Sequence, residues 1–216
     1  MIKPTLTEQV MGLICLSCMV ANIIFKVESR TLICILNPCH ASNFFLIFLC
    51  FTPFSIVGEL FAFSLFGFSF GGLLGLIFTE NEDLPFFEIF VYYVQHVFVA
   101  GLGPLILSLS GRYDIRNYVK YPLPWLGAIF FTLYERFLLM PMSMITYANL
   151  NHALCGFDSD PMYAKFDLGR WYWLWAELYL SAACFFGYGF NLTIISLVHI
   201  MVGACGLSKN DITKSN

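Results

Sequence analysis

Between Arg30 and Glu59 the chain runs for 28 residues without an Asp, Glu, Lys or Arg. A helix that crosses a hydrocarbon layer about 30 Å thick needs roughly 20 apolar residues in succession, and this run supplies them. Windows poor in charge give six candidate spans, at about 9–25, 31–53, 56–78, 88–110, 122–147 and 171–205. Only 12% of the residues are charged and 59% are hydrophobic, against about 25% charged in soluble domains. These features predict an all-α, polytopic transmembrane helix bundle of about six spans. Residues 1–206 read as one bundle domain and 207–216 as a polar tail. The net charge of −3 and the absence of a Lys/Arg run give no case for nucleic acid or a polybasic lipid-binding patch.

Several features read as packing. Cys15, Cys18, Cys34, Cys39, Cys50, Cys184 and Cys205 fall in apolar stretches, with only Cys155 near a loop; most serve as small apolar side chains between helices. Cys15 and Cys18 have a redox or zinc spacing but lack the soluble context of such motifs. The first apolar run reads as a helix, with a signal anchor as the alternative, since no small-residue cleavage site follows it. Gly67, Gly71 and Gly75 recur every four residues, as a small face for close helix packing does. The last window is long enough to tilt, to break near Gly187 and Gly189, or to begin at the interface, where Trp171-Tyr172-Trp173-Leu174-Trp175 resembles an aromatic belt. Lys and Arg counts slightly favour both termini on the cytoplasmic side.

Within the second window stands Leu36-Asn37-Pro38-Cys39-His40. Polar groups at membrane depth are expensive and usually mark a functional site. A thiol and an imidazole are also the parts needed for nucleophilic acyl transfer. Pro38 would kink a continuous helix and open access to Cys39, with Asn37 or water satisfying the freed backbone. Cys39 lies nine residues after Arg30 and His96 eight after Glu88, so both sit roughly 12–14 Å below one boundary at about 1.5 Å per residue. A thiol in apolar surroundings needs a base to become a nucleophile. His96 is the candidate; His40 is the rival, disfavoured because adjacent helical residues do not face each other.

Other polar groups have plainer readings available. Asn149 and Asn151 could orient an imidazole or donate to an oxyanion, but capping of the fifth helix is favoured. Asp158-Ser159-Asp160-Pro161 reads as a turn, His199 as an interhelical hydrogen-bonding group, and Glu135-Arg136 as an ion pair or headgroup anchor. Asn191-Leu192-Thr193 matches a glycosylation pattern inside an apolar span, where no transferase reaches.

Three ordered blocks resemble the transmembrane protein 164 family. They are Leu36-Asn37-Pro38-Cys39-His40; Leu84-Pro85-Phe86 continuing through Glu88 to Tyr92-Tyr93-Val94-Gln95-His96-Val97; and Asn149-Leu150-Asn151 with Leu154-Cys155, Ser159-Asp160-Pro161, Tyr163 and Trp171. That family is similar in architecture to the androgen-induced hydrolases and contains cysteine-dependent acyltransferases. The resemblance implies transfer of a polyunsaturated acyl chain from a phospholipid to an ether lysophospholipid in the endoplasmic reticulum membrane. Cys39 would be the nucleophile and His96 the base, with Asn37, His40, Gln95, Asn149, Asn151 and Asp160 in support, and with no metal or cofactor. Family members carry a further N-terminal span, so this chain starts near what would be their second. The alternatives are a lipid hydrolase using the same dyad, a hydrolase with a metal on Cys39, His40, His96 and His152, and a non-enzymatic channel or transporter lined by these polar groups.

Overall fold

The computed structural model describes residues 2–77, 85–118, 123–150, 154 and 171–204. Helices α1 (Leu6–Glu28), α2 (Pro38–Phe51) and α3 (Ile56–Ile77) come first. The next crossing is α4 (Phe86–Val97), a π-helical turn (Phe98–Leu102) and α5 (Gly103–Leu109). It is followed by α6 (Leu123–Tyr134), a second π turn (Glu135–Leu139) and α7 (Met140–Thr146). The last helix is α8 (Tyr172–Ala204). No strand occurs among the described residues. Five crossings are long and apolar enough to span a membrane, and α2 is a shorter apolar helix. The all-helical bundle of about six spans is therefore as expected.

The second span differs from its expectation. Leu32–Leu36 form a 3₁₀ turn, and the helix begins only at Pro38. Proline is well suited to that first position, because its missing N–H is one of those a helix start leaves unbonded anyway. Pro38 thus opens α2 instead of kinking it, and the Asn37 carbonyl accepts from the N–H groups of His40 (2.9 Å) and Ala41 (3.2 Å). The helix has 14 residues, about 21 Å at 1.5 Å per residue, and its first turn therefore starts roughly 9 Å inside a 30 Å hydrocarbon layer when its far end reaches the opposite boundary.

The two crossings with π turns share one layout of 12, 5 and 7 residues. Each has a proline in the second position after the wide turn, Pro104 and Pro141. A proline interior to a helix cannot bond the carbonyl four residues back, and its ring presses on it. Those carbonyls, of Ala100 and Phe137, lie inside the π turns, where the widened ladder gives the rings room. The Gly103 and Met140 N–H groups instead bond to Phe98 O and Glu135 O, five residues back. α8, in contrast, passes Gly187 and Gly189 unbroken. Gly187 lies directly against the Gly67 carbonyl of α3 and leaves no room for a Cβ.

α3 is apolar on all sides and occupies the centre, touching α2, α4, α5, α6 and α8. Leu46, Leu49, Leu65, Phe66, Leu107 and Ile195 form the core around it, with Cys15 and Cys50 among them as apolar filling. Asn191 is buried and donates to Phe66 O (3.2 Å), Gly187 O (2.9 Å) and Ser69 Oγ, so it is a helix-joining amide and no glycosylation site.

At the end of the bundle where α1 starts, Glu8 and Arg112 form an ion pair of 3.0 Å with side chains 0% and 1% exposed. Glu8 also closes a capping box with Thr5 and accepts from Ser110 Oγ at 3.0 Å. Arg112 donates further to the carbonyls of Leu49 and Thr52 at the end of α2. At the opposite end Lys26 of α1 meets Glu88 of α4 at 3.5 Å. These contacts establish that α1 and α2 run antiparallel, and that the ends of α2 and α5 lie level with the start of α1.

Removing one member of a fully buried pair leaves an uncompensated charge, typically at a cost of about 3–5 kcal/mol. Arg112→Met should lower stability by that order in thermal or denaturant unfolding in detergent. Combining it with Glu8→Met should cost clearly less than the sum of the two single changes, which a double-mutant cycle measures.

Candidate functional site

The buried polar groups of the α1, α2 and α4 interface converge in the half of the bundle near Lys26 and Glu88. Cys39 is half-buried in the first turn of α2. Its thiol lies within electrostatic range of Lys26, Tyr92 and Tyr134. Tyr134 Oη donates to the Leu36 carbonyl and so pins the turn just before Cys39 to α6. His40, the next residue, is 8% exposed.

α4 buries Val91, Gln95 and His96; Val91 and Gln95 share one face at i, i+4, and His96 points about 100° round the helix, toward Gly75 of α3. His96 Nδ1 is 2.8 Å from the Tyr92 carbonyl. A carbonyl can only accept, so this bond holds the imidazole proton on Nδ1 and leaves Nε2 with its lone pair. The Tyr92 ring packs on the His96 ring with centroids 3.9 Å apart, and Tyr92 Oη donates to Gly75 O at 2.7 Å. Gly75 permits this approach: a Cβ there would stand 2.9 Å from Tyr92 Oη and 3.2 Å from His96 Nε2. The expected glycine face therefore divides. Gly67 packs on Cys184 of α8, Gly71 meets nothing within 4 Å, and Gly75 seats the histidine. Successive i+4 positions drift around a helix of 3.6 residues per turn, so one stripe meets different neighbours.

Gln95 takes a different part. Its Oε1 accepts from Asn22 Nδ2 of α1 at 2.8 Å, and its Nε2 meets His40 Nδ1 at 3.2 Å. The structure thus brings Cys39, His40, Gln95 and His96 into one region, and His40 lies within electrostatic range of His96. No hydrogen bond joins the Cys39 thiol to either imidazole among the described residues. A thiol–base bond that is long or absent without substrate is common.

The remaining expected residues lie elsewhere. Asn37 holds the N-cap position of α2. Asn149 Oδ1 accepts from the Leu154 N–H at 3.0 Å, a local bond in the segment after α7. Asn151, His152, Cys155 and Asp160 lie outside the described residues. Arg136 places Nη1 3.4 Å from Met140 Sδ on its own helix, and His199 lies within electrostatic range of Asp114 at the far end. Among the described residues no three of His, Cys, Asp and Glu are grouped to hold a metal. Sequence reasoning missed Asn22, Gly75 and the role of Tyr92. Asn22 had a signal, as an amide deep in an apolar run; Gly75 stood out only as a packing glycine and Tyr92 only within the family resemblance, since the seat they form for His96 comes from packing between helices. An apolar groove of about 380 Å³ runs along Phe86, Ile89, Phe90, Tyr93 and Val97 on the outer face of α4.

The model of the TMEM164 family matches residues 6–188. No solved structure matches the chain.

Two glycine substitutions should separate the seat of His96 from plain helix surface. Gly75→Ala overpacks the Tyr92–His96 contact and should destabilise the fold by about 1–3 kcal/mol. Gly71→Ala meets open space and should be neutral or stabilise by up to about 1 kcal/mol through helix propensity. Unfolding midpoints of the two variants in one detergent check the contrast.

Proposed function

The chain belongs to the TMEM164 family, and on that premise we propose that it is a membrane acyltransferase. It would move a fatty acyl chain from a phospholipid to a lysophospholipid through a thioester on Cys39. The observation that carries this reading is the local state of His96. Its Nδ1 is committed to the Tyr92 carbonyl, and Nε2 is left as a base in the region that holds the Cys39 thiol.

His96 Nε2 takes the proton of Cys39, and the thiolate attacks the ester carbonyl of the donor. The leaving lysophospholipid oxygen takes that proton back, and the acyl chain remains on sulfur. His96 then removes the proton of the acceptor hydroxyl, which attacks the thioester, and the thiolate returns. A site inside the bundle excludes water, which favours transfer over hydrolysis. Polyunsaturated donors, ether lysophospholipid acceptors and an endoplasmic reticulum location, which the sequence resemblance implies, are the first choices to test.

The test is acyl transfer by purified protein in liposomes, with a labelled phospholipid donor and an ether lysophospholipid acceptor. Wild type should form labelled phospholipid. Cys39→Ala should abolish it, and His96→Ala should lower it by about 10²–10⁴-fold, the usual worth of a general base. Label released as free fatty acid would make the protein a lipid hydrolase. Full transfer by Cys39→Ala would sink the thioester mechanism.

A further inference from the structure

Asn22, Gln95 and His40 form one hydrogen-bonded chain across three helices, and the acyl-transfer scheme makes no use of it. The three side chains are 5%, 1% and 8% exposed. Polar groups so deep in a membrane bundle are costly, and a structural amide contact between two helices would not need to end on an imidazole.

The chain has a direction. Asn22 Nδ2 donates to Gln95 Oε1 at 2.8 Å, which commits the other end of the Gln95 amide to donation. That end, Nε2, meets His40 Nδ1 at 3.2 Å. An amide nitrogen cannot accept, so His40 Nδ1 supplies a lone pair, the ring is neutral, and its proton sits on Nε2. His40 Nε2 has no protein partner among the described residues. His96 is in the opposite state, with its proton on Nδ1 and its lone pair on Nε2. Two imidazoles in electrostatic range of each other are therefore prepared as one donor and one acceptor.

We propose that His40 is a catalytic residue whose Nε2–H stabilises the oxyanion, with Gln95 and Asn22 as positioning residues that hold it in the donor state. The inference rests on the reading of Cys39 as nucleophile. As the Cys39 thiolate bonds to the ester carbon, the C=O π pair moves onto oxygen, and His40 Nε2–H donates to that oxygen without transferring its proton. When the pair returns, the C–O bond to the lysophospholipid breaks and the leaving oxygen takes the proton held on His96 Nε2. The second half-reaction forms the same oxyanion from the thioester. His40 follows Cys39 in the first turn of α2, and successive helical side chains diverge by roughly 100°, so the acyl carbonyl would lie between the sulfur and the donor. Catalysis here uses a pre-set dipole in a water-poor site, where such donors act most strongly.

The experiment pairs the liposome transfer assay with the alkylation rate of Cys39 by iodoacetamide, read by mass spectrometry of its peptide. Alkylation requires the thiolate but forms no oxyanion. His40→Ala should lower kcat for transfer by about 10²–10³-fold, the cost of one lost oxyanion donor, with donor KM and Cys39 alkylation close to wild type. His40→Gln keeps an N–H near the same place and should recover most of that loss. Gln95→Glu offers only acceptors, would draw the His40 proton to Nδ1, and should cost about as much transfer as His40→Ala. His96→Ala should slow transfer and alkylation together. Wild-type transfer by His40→Ala would overturn the inference, as would a loss of alkylation in His40→Ala equal to that in His96→Ala. An inactive wild type, or full transfer by Cys39→Ala, would instead remove the acyl-transfer reading beneath it.

Discussion

The buried pair of Glu8 and Arg112 sets the vertical register of the bundle. Apolar helices facing lipid can slide along one another at little cost, because the hydrocarbon is as apolar as the side chains it meets. A charge pair with side chains 0% and 1% exposed cannot slide. Glu8 is fixed to the first turn of α1 by its capping box, and Arg112 reaches from the end of α5 to two carbonyls at the end of α2. Three helices are thereby held level at one end. α2 is shorter than α1 and so starts part-way along it, and there Asn22, His40 and Gln95 meet across α1, α2 and α4.

The same register explains why α2 can be short. Its far end is held by Arg112, so its first turn, with Cys39 and His40, lies inside the bundle in the half that holds Lys26 and Glu88. A helix start carries unbonded N–H groups, and placing one at that depth puts polar backbone where a reaction could use it. The π turns serve the bundle differently. They let Pro104 and Pro141 sit in continuous crossings without a break, and the first of them begins directly after the helix that carries His96.

The two histidines differ through their partners alone. His96 is bonded to a carbonyl and His40 to an amide nitrogen, so the same side chain stands in two tautomers within one region. Under the proposed chemistry this divides labour between a base for the thiol and a donor for the developing charge. Neither role needs a charged imidazole in the resting protein, which suits a site surrounded by apolar helices.

Charge-poor windows were enough to read six apolar segments and an all-helical membrane fold, because only helices of that length satisfy their backbone in lipid. Gln95 came only from the family resemblance, but the thiol and both imidazoles were also legible, since polar residues in apolar runs stand out. Asn22 was legible on the same ground but was passed over. Other features depended on tertiary structure. Whether Pro38 kinks a helix or begins one depends on where the preceding turn ends, and that turn is pinned by Tyr134 from α6. Whether Gly75 faces a helix or a histidine depends on how α3 is rotated. Most of all, the protonation pattern of His40 and His96 depends on which donor or acceptor a neighbouring helix brings to each ring. Composition and spacing determined what this chain is made to live in and which side chains could react; only the packing of α1, α2, α3 and α4 decided what each of those side chains is placed to do, because hydrogen-bond direction is a property of pairs.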